Sequence, residues 1–205
     1  MSRKSVVVSP PFRFGEDGGL SIQATVPPDD LMKCVMYFDE IDYPDNNFIS
    51  VDMCQDMCFL QSIGFLKRTE INFTFSGTII LDSTIPIQAQ MAAHQENDKN
   101  EPGVWSLAQL AGAPYFPGSA STQGIDVELY HCLPIPKEGT PIHDILEFKE
   151  RERENLIELR GYIDDIYLDI LKNPEHKIAL KIYKDKLYKL VDDVSKKNEF
   201  PRCHA

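Results

Sequence analysis

With 205 residues, the chain is long enough for one good-sized domain or for one domain with an appendage. A hydrophobic content of 42%, with 11 Phe and 8 Tyr, argues against global disorder. The net charge of −11 disfavours non-specific binding to nucleic acid, because an acidic surface repels phosphate groups.

The sequence predicts a cytoplasmic protein that does not associate with membranes. Its apolar runs all fall short of the roughly 18 residues that a membrane-spanning helix needs. The valines near the N-terminus are followed at once by Pro10 and Pro11, so this run is too short for a signal-peptide core. The odd number of cysteines, five, is typical of reduced thiols in a cytosol.

The first part of the chain alternates between predicted strands and predicted helices. Strands are predicted at 4–9, 20–26, 40–43, 48–51, 65–68 and 71–81, and helices at 27–38 and 52–63. The glycine-rich stretch 12–19 is predicted as a loop. Asp52 is placed to cap the second helix and Gly64 to end it. This alternation predicts an α+β or α/β body in which helices flank a mixed sheet.

The middle of the chain is patterned less regularly. A helix is predicted at 88–95, and the polar run HQENDKNEPG is expected to break it. A long loop rich in Gly, Pro and Ser follows at 111–124. The stretch 125–133, IDVELYHCL, alternates well enough to predict a last strand.

The longest regular pattern lies at 140–171. Thr140 is a candidate cap and Pro141 fits the first helical position, which predicts one helix of roughly 45 Å. Its apolar residues recur at steps of three and four, and Lys149 and Glu152 interrupt the series. A short turn then leads to a second apolar series, so the two helices are predicted to form an antiparallel hairpin.

The predicted domains are therefore a mixed α/β body at 1–139, a helical hairpin at 140–198 and a tail at 199–205. From Thr140 onward there are 13 Lys and Arg against 14 Asp and Glu, whereas the preceding part has 8 against 18. The predicted boundary thus separates an acidic body from a nearly neutral hairpin.

The hairpin carries more apolar positions than two packed helices need to bury, which favours an interface with a protein partner or a second copy of the chain. The predicted interface consists of Leu156, Leu159, Ile163, Ile166, Ile170, Leu180, Tyr183 and Leu187.

An acidic cluster offers an enzymatic alternative. Carboxylates near the ends of strands can hold Mg²⁺ for phosphoryl transfer, as in a metal-dependent phosphodiesterase or nuclease. The candidate catalytic residues are Asp39, Asp42, Asp52 and Asp56. The simpler interpretation is that they cap helices, shape turns and contact solvent.

Four further residues form a weak candidate zinc site. Cys54 and Cys58 are spaced to share one side of a helix, and His131 or Cys132 could complete the coordination. The apolar setting of the first pair also fits inert thiols. A lysine stripe on the last helix is a further candidate surface for nucleic acid, although a solvated helix face is its ordinary role.

Three stretches carry a resemblance to a group of uncharacterised bacterial proteins. They are MYFDEI at 36–41, LPIP at 133–136 and DILEFK at 144–149, which leads into 151–160. The resemblance implies a bacterial origin, a small α/β N-terminal part, the LP-P linker and the long helix. It also implies a setting near mobile or defence genes, and it supplies no catalytic residues.

The leading hypothesis is a non-catalytic interaction or oligomerisation module, an accessory subunit of a bacterial complex that could act in phage defence. It requires no cofactor, whereas the phosphodiesterase or nuclease alternative requires Mg²⁺.

Overall fold

The computed structural model describes residues 3–14, 20–22, 26–74, 85–109 and 125–198, which form two compact units. The elements of the first unit are β1 (Ser5–Ser9), β2 (Phe12–Phe14), β3 (Leu20–Ile22), α1 (Pro28–Tyr37), β4 (Glu40–Asp42), β5 (Asp45–Asn46), α2 (Gln55–Ser62), β6 (Leu66–Lys67), β7 (Glu70–Ile71), α3 (Ile85–Asn100) and β8 (Trp105–Gln109). Those of the second are α4 (Ile125–Tyr130), α5 (Ile142–Arg151), α6 (Arg153–Lys172) and α7 (His176–Asn198).

A parallel sheet with the strand order β6-β4-β1-β8 forms the centre of the first unit. Ser5 of β1 pairs with Glu40 of β4 on one side and with Trp105 of β8 on the other. All five residues of β1 are buried, as expected for the central strand of a sheet that is covered on both faces. The predicted class, a sheet with flanking helices and a C-terminal helical hairpin, is confirmed.

Helix α3 covers one face of this sheet. Val7, Trp105 and Leu107 form a buried cluster with Ala93 of α3. The side-chain amide of Gln90 donates to the main-chain carbonyls of Val7 at 2.8 Å and Ala108 at 2.6 Å, which joins α3 to the two strands. Helix α3 also contributes Asn97, which donates a hydrogen bond to the buried carboxylate of Asp42.

Strands β4 and β6 continue past their ends in the same parallel ladder. The backbone amide of Tyr43 donates to Lys67 at 2.9 Å, and that of Asp45 donates to Thr69 at 3.0 Å. Strands β5 and β7 extend this pairing. The predicted strand at 48–51 is wrong, because the ladder runs through Asp45 and Asn46 and ends before these residues. Of the predicted strand at 71–81, Ile71 belongs to β7 and 72–74 are not in a strand, whereas 75–81 lie outside the described residues.

Part of the predicted first loop is a strand. Phe12–Phe14 pairs antiparallel with Leu20–Ile22. The alternation of two Phe residues around Arg13 is the period-two pattern of a strand, which the neighbouring glycines concealed.

Two helix ends, predicted at 52 and at 95, lie at other residues in the structure. Helix α2 begins at Gln55 with Cys54 as its N-cap, so Asp52 does not cap it. Gly64 ends it as predicted, with a φ of 75° that favours glycine. Helix α3 is not broken by the polar run and continues to Asn100. It continues because Asn97, a polar residue, faces the interior.

The stretch 125–133 is wrong as a strand, because α4 occupies 125–130. Ile125 and Leu129 of this helix are both buried, and their spacing of four places them on one side of a helix. Helix α4 packs on α6 and α7. The helical unit therefore begins before the predicted boundary at 139 and 140.

The predicted single helix at 140–171 is two helices. Glu152 is both the C-cap of α5 and the N-cap of α6, with a φ of −96° and a ψ of 18°. Thr140 is not the cap, because Pro141 holds that position and the Thr140 hydroxyl donates to the carbonyl of Lys137 at 2.6 Å. No helix in the described part of the chain combines the length and apolar character that crossing a bilayer requires.

Candidate functional site

Asp42 is the central residue of the predicted acidic cluster, and it is fully buried. Its carboxylate accepts hydrogen bonds from the backbone amide of Thr69 at 3.1 Å and from the Thr69 hydroxyl at 2.6 Å. The side-chain amide of Asn97 donates to the same carboxylate at 2.7 Å. A buried carboxylate needs such donors to offset its lost hydration, so Asp42 ties β4, the following ladder and α3 together.

The other three predicted carboxylates have separate environments. Asp39 accepts from the backbone amide of Lys4 at 3.1 Å. Asp52 and Asp56 are exposed, and Asp56 lies in the first turn of α2. Among the described residues, no group of three or more His, Cys, Asp or Glu side chains is arranged to hold a metal ion. The structure does not bring the predicted carboxylates into one site.

A polar network extends from Asp42 towards the surface. Lys67 donates to the side-chain oxygen of Asn97 at 3.0 Å and lies 3.4 Å from the carboxylate of Glu40. Its ammonium also lies 4.2 Å from the centre of the Trp105 ring, within the range of a cation–π contact. These contacts hold Lys67 in place, and they give the network a structural role between the sheet and α3.

Tyr43, directly after β4, is buried beside a second cation. Burial raises the pKa of the Tyr43 phenol to about 12, although the Arg68 guanidinium acts in the opposite direction. Arg68 lies 5.4 Å from the Tyr43 ring and 3.1 Å from the carboxylate of Asp45. The Tyr43 hydroxyl is one of the buried polar groups that have no hydrogen-bond partner in the described part of the chain.

The candidate zinc ligands are divided between the two units. Cys54 and Cys58 are exposed at the start of α2, whereas Cys132 is buried in the helical unit. The Cys132 thiol donates to the main-chain carbonyl of Glu128 at 3.4 Å. The expectation that Cys54 and Cys58 are buried thiols is wrong, because both are exposed. Cys34, which also lies among apolar residues in the sequence, is buried, and burial raises the pKa of its thiol to about 12.

The predicted interface residues are used mainly inside the helical unit. Five of the eight are buried: Leu156, Ile163, Ile166, Ile170 and Leu187. Leu159, Leu180 and Tyr183 are partly buried. In this conformation the buried five are not accessible to a partner, because they face the neighbouring helices. The structure therefore corrects the prediction that this series is the partner surface.

A different set of apolar side chains is exposed on the same hairpin. Six large residues are between 48% and 57% exposed: Tyr162, Leu168, Ile178, Ile182, Tyr188 and Leu190. A single exposed apolar side chain is common on a protein surface. Six of them on one hairpin are unusual. The interface predicted from the sequence does not include these six residues, because it comprises only members of the most regular apolar series.

One contact fixes the alignment of the two hairpin helices. The Tyr183 hydroxyl lies 3.3 Å from the carboxylate of Asp169, to which it donates. Partial desolvation and the neighbouring Asp169 carboxylate raise the pKa of Tyr183, and Tyr162 lies close enough to contribute. Tyr162 precedes Asp169 by seven residues, and Leu190 follows Tyr183 by seven. Seven residues are about two helical turns. Tyr162 therefore lies on the same side of α6 as Asp169, and Leu190 lies on the same side of α7 as Tyr183.

We call this surface the tyrosine face. It consists of Tyr162, Asp165 and Asp169 on α6, and of Tyr183, Lys186 and Leu190 on α7. Each helix contributes positions i, i+3 and i+7, which share one side of a helix. Asp165 and Lys186 are both exposed, and the Lys186 ammonium lies 4.9 Å from the centre of the Tyr183 ring.

Another side of α7 is fixed by α4. The Lys184 ammonium lies 2.7 Å from the carboxylate of Glu128. Partial burial lowers the pKa of Lys184, but the bond to Glu128 outweighs this effect and the net pKa is raised. Because α4 packs here, Lys184 has a structural partner and does not belong to a free lysine stripe.

A family model described as a family of unknown function, DUF6236, matches residues 20–199. The chain belongs to this family. The DUF6236 match begins at the first residue of β3 and includes both helices of the hairpin, α6 and α7. It confirms the resemblance to an uncharacterised family. No curated protein and no solved structure matches the chain.

Proposed function

We propose that this DUF6236 chain is a non-catalytic protein-interaction module that binds its partner through exposed apolar side chains of the α6–α7 hairpin. The observation that supports the proposal is the number of large apolar side chains that are about half exposed on both helices. Among them, Ile182 and Leu190 are eight residues apart and share one side of α7, whereas Tyr188 points to another side. Complete burial of such a side chain contributes about 1.5–3 kcal/mol, so a partner that covered them would gain appreciable binding energy.

The architecture fits a module that presents a rigid helix surface. Ile163 and Ile170 of α6 are fully buried, and Leu187 of α7 is also buried. These side chains hold the two helices together within one chain, so the exposed residues are presented on a fixed backbone. A rigid surface loses less conformational entropy on binding than a flexible one.

We further propose that the chain is a cytoplasmic accessory subunit of a bacterial complex that acts in phage defence. The cytoplasmic location rests on the composition, and the bacterial origin and the defence context rest on the resemblance. A metal-dependent phosphodiesterase or nuclease remains the alternative. It needs Asp39, Asp42, Asp52 or Asp56 around a Mg²⁺ ion, and the donors that surround Asp42 already occupy that carboxylate.

Site-specific photo-crosslinking in the producing cells tests the proposal. A photoreactive amino acid at Ile182 or Leu190 is expected to give protein adducts, since both positions lie on the exposed side of α7. The matched control is Gln61, which is exposed on α2. Adducts at the hairpin positions and none at Gln61 support the proposal. Equal yields at all three positions, or no adduct at either hairpin position, overturn it.

A further inference from the structure

The tyrosine face carries opposite charges on its two helices. The α6 side contributes Asp165 and Asp169, and the α7 side contributes Lys186. The Asp169 carboxylate lies 3.3 Å from the Lys172 ammonium of its own helix and accepts from Tyr183, so its charge is already used within the chain. Asp165 on α6 and Lys186 on α7 are the exposed charges of the face that can meet a partner. One surface therefore presents an acidic residue on one helix and a basic residue on the other.

Such a surface is complementary to itself after a two-fold rotation. In a dimer with two-fold symmetry the same patch of both subunits meets, so a residue on α6 of one copy can face a residue on α7 of the other. This arrangement places Asp165 of each copy against Lys186 of the other, twice. Pairing equivalent helices would instead bring the two Lys186 side chains together and the two Asp165 side chains together, which electrostatic repulsion disfavours.

The apolar residues of the tyrosine face suit the same arrangement. Tyr162 and Leu190 are about half exposed, and Tyr183 is partly buried beside them. Tyrosine combines a large contact area with few rotatable bonds, which is why it is enriched in protein interfaces. In a paired arrangement these side chains form the centre, and the charged residues lie around them.

We infer that the partner of the tyrosine face is a second copy of this chain, and that two α6–α7 hairpins pair with two-fold symmetry to form an antiparallel four-helix arrangement. Asp165 of each copy faces Lys186 of the other. This inference rests on the proposed function and names the partner of that surface.

Two complementary variants test the pairing in the full-length chain. In a dimer of the Asp165→Lys variant, a lysine at position 165 of each copy faces Lys186 of the other, which gives two repulsive contacts between positive charges. In a dimer of the Lys186→Glu variant, Asp165 of each copy faces a glutamate, which gives two repulsive contacts between negative charges. Each variant by itself is expected to self-associate at least about tenfold more weakly than the wild type. When the two are mixed, every Asp165–Lys186 contact between chains again joins opposite charges, and a mixed dimer is expected.

Light scattering after size exclusion measures the mass of each variant and of the mixture, and circular dichroism checks that each variant is folded. Both positions are exposed, so folding is expected to be retained. Wild-type dimer, weakened single variants and a restored mixture support the inference. A monomeric wild type, unweakened variants or a mixture that is not restored overturns it. If the wild type is monomeric but Leu190 still crosslinks to another protein, the inference fails while the proposed function stands. If the wild type is monomeric and neither hairpin position crosslinks to a protein, both the inference and the proposed function are wrong.

Discussion

The side-chain amide of Asn97 lies 2.7 Å from the carboxylate of Asp42 and donates a hydrogen bond to it. Both residues are buried, and the contact joins α3 to the end of β4. Although Asp42 was a candidate metal ligand from the sequence, its donors give it a structural role. Stability measurements can separate the two roles.

Asp42→Ala is expected to lower the free energy of unfolding by about 3 kcal/mol, because Asn97 and Thr69 would keep buried donors without an acceptor. The matched control is Asp56→Ala, an exposed carboxylate in the first turn of α2, with an expected loss below about 1 kcal/mol. Urea denaturation followed by circular dichroism measures both. An equal loss would contradict the structural role, as would a melting temperature that Mg²⁺ raises for the wild type but not for Asp42→Ala.

The two sides of the hairpin are expected to respond differently to the same substitution. Ile163 is fully buried, so Ile163→Ala is expected to cost about 2–5 kcal/mol. Ile182 is 48% exposed, and Ile182→Ala is expected to change the free energy of unfolding by less than about 1 kcal/mol. Denaturant unfolding at a protein concentration that keeps the chain monomeric compares them. Similar losses at both positions would show that Ile182 is not a surface residue.

Gly161 lies inside α6, where its backbone is an ordinary helical one. A Cβ atom added there meets no atom within 4 Å. Gly161→Ala is therefore expected to raise the free energy of unfolding by about 0.5–1 kcal/mol, since alanine restricts the unfolded chain and favours the helix. Thermal unfolding of the two proteins is the measurement. A destabilised variant would mean that something packs closely against this position.

Tyr43 gives a prediction for alkaline pH. Its pKa is raised to about 12 in the folded chain, whereas the unfolded chain releases this proton near the usual value of about 10. The folded state therefore holds more protons between these values, and the free energy of unfolding falls as the pH rises from 10 towards 12. Tyr43→Phe removes this contribution and also removes a buried hydroxyl without a partner among the described residues.

Tyr43→Phe is thus expected to be neutral or stabilising at pH 7, and to flatten the decline in stability above pH 10. Urea denaturation at pH 7, 10 and 11 tests both effects. A variant that is clearly less stable at pH 7, with an unchanged decline at alkaline pH, would contradict the assigned environment of this phenol.

The sequence was sufficient to predict a helix or a strand where the pattern of apolar residues fitted only one of the two. The apolar run of β1 and the stripe of α1 gave elements that the structure confirms. The two later series gave the helical hairpin, although the first of them spans two helices, α5 and α6. The stretch 125–133 failed because its apolar residues fit a period of two and a period near four equally well, and only packing against α6 and α7 selects the helix. The break at Glu152 was visible only as a lapse in the apolar series.

The candidate sites were harder to predict because their residues are separated in sequence. Asp42 depends on Thr69 and Asn97, and no local pattern joins these three positions. The tyrosine face was detectable in principle, since Tyr162, Asp165 and Asp169 follow a helical spacing. Choosing between it and the buried series required knowledge of which side α4 and the opposite helix cover.

Sedimentation equilibrium of the full-length chain over a range of concentrations tests the tyrosine face most directly. The wild type, of 23.3 kDa per chain, is expected to approach twice that mass. Replacing both Tyr162 and Leu190 by alanine should return it to the single-chain mass, whereas replacing Phe59 and Ile63, two exposed apolar residues of α2 and its C-cap, should not. A wild type that stays at 23.3 kDa at every concentration, or an equal effect of both replacements, would contradict the account.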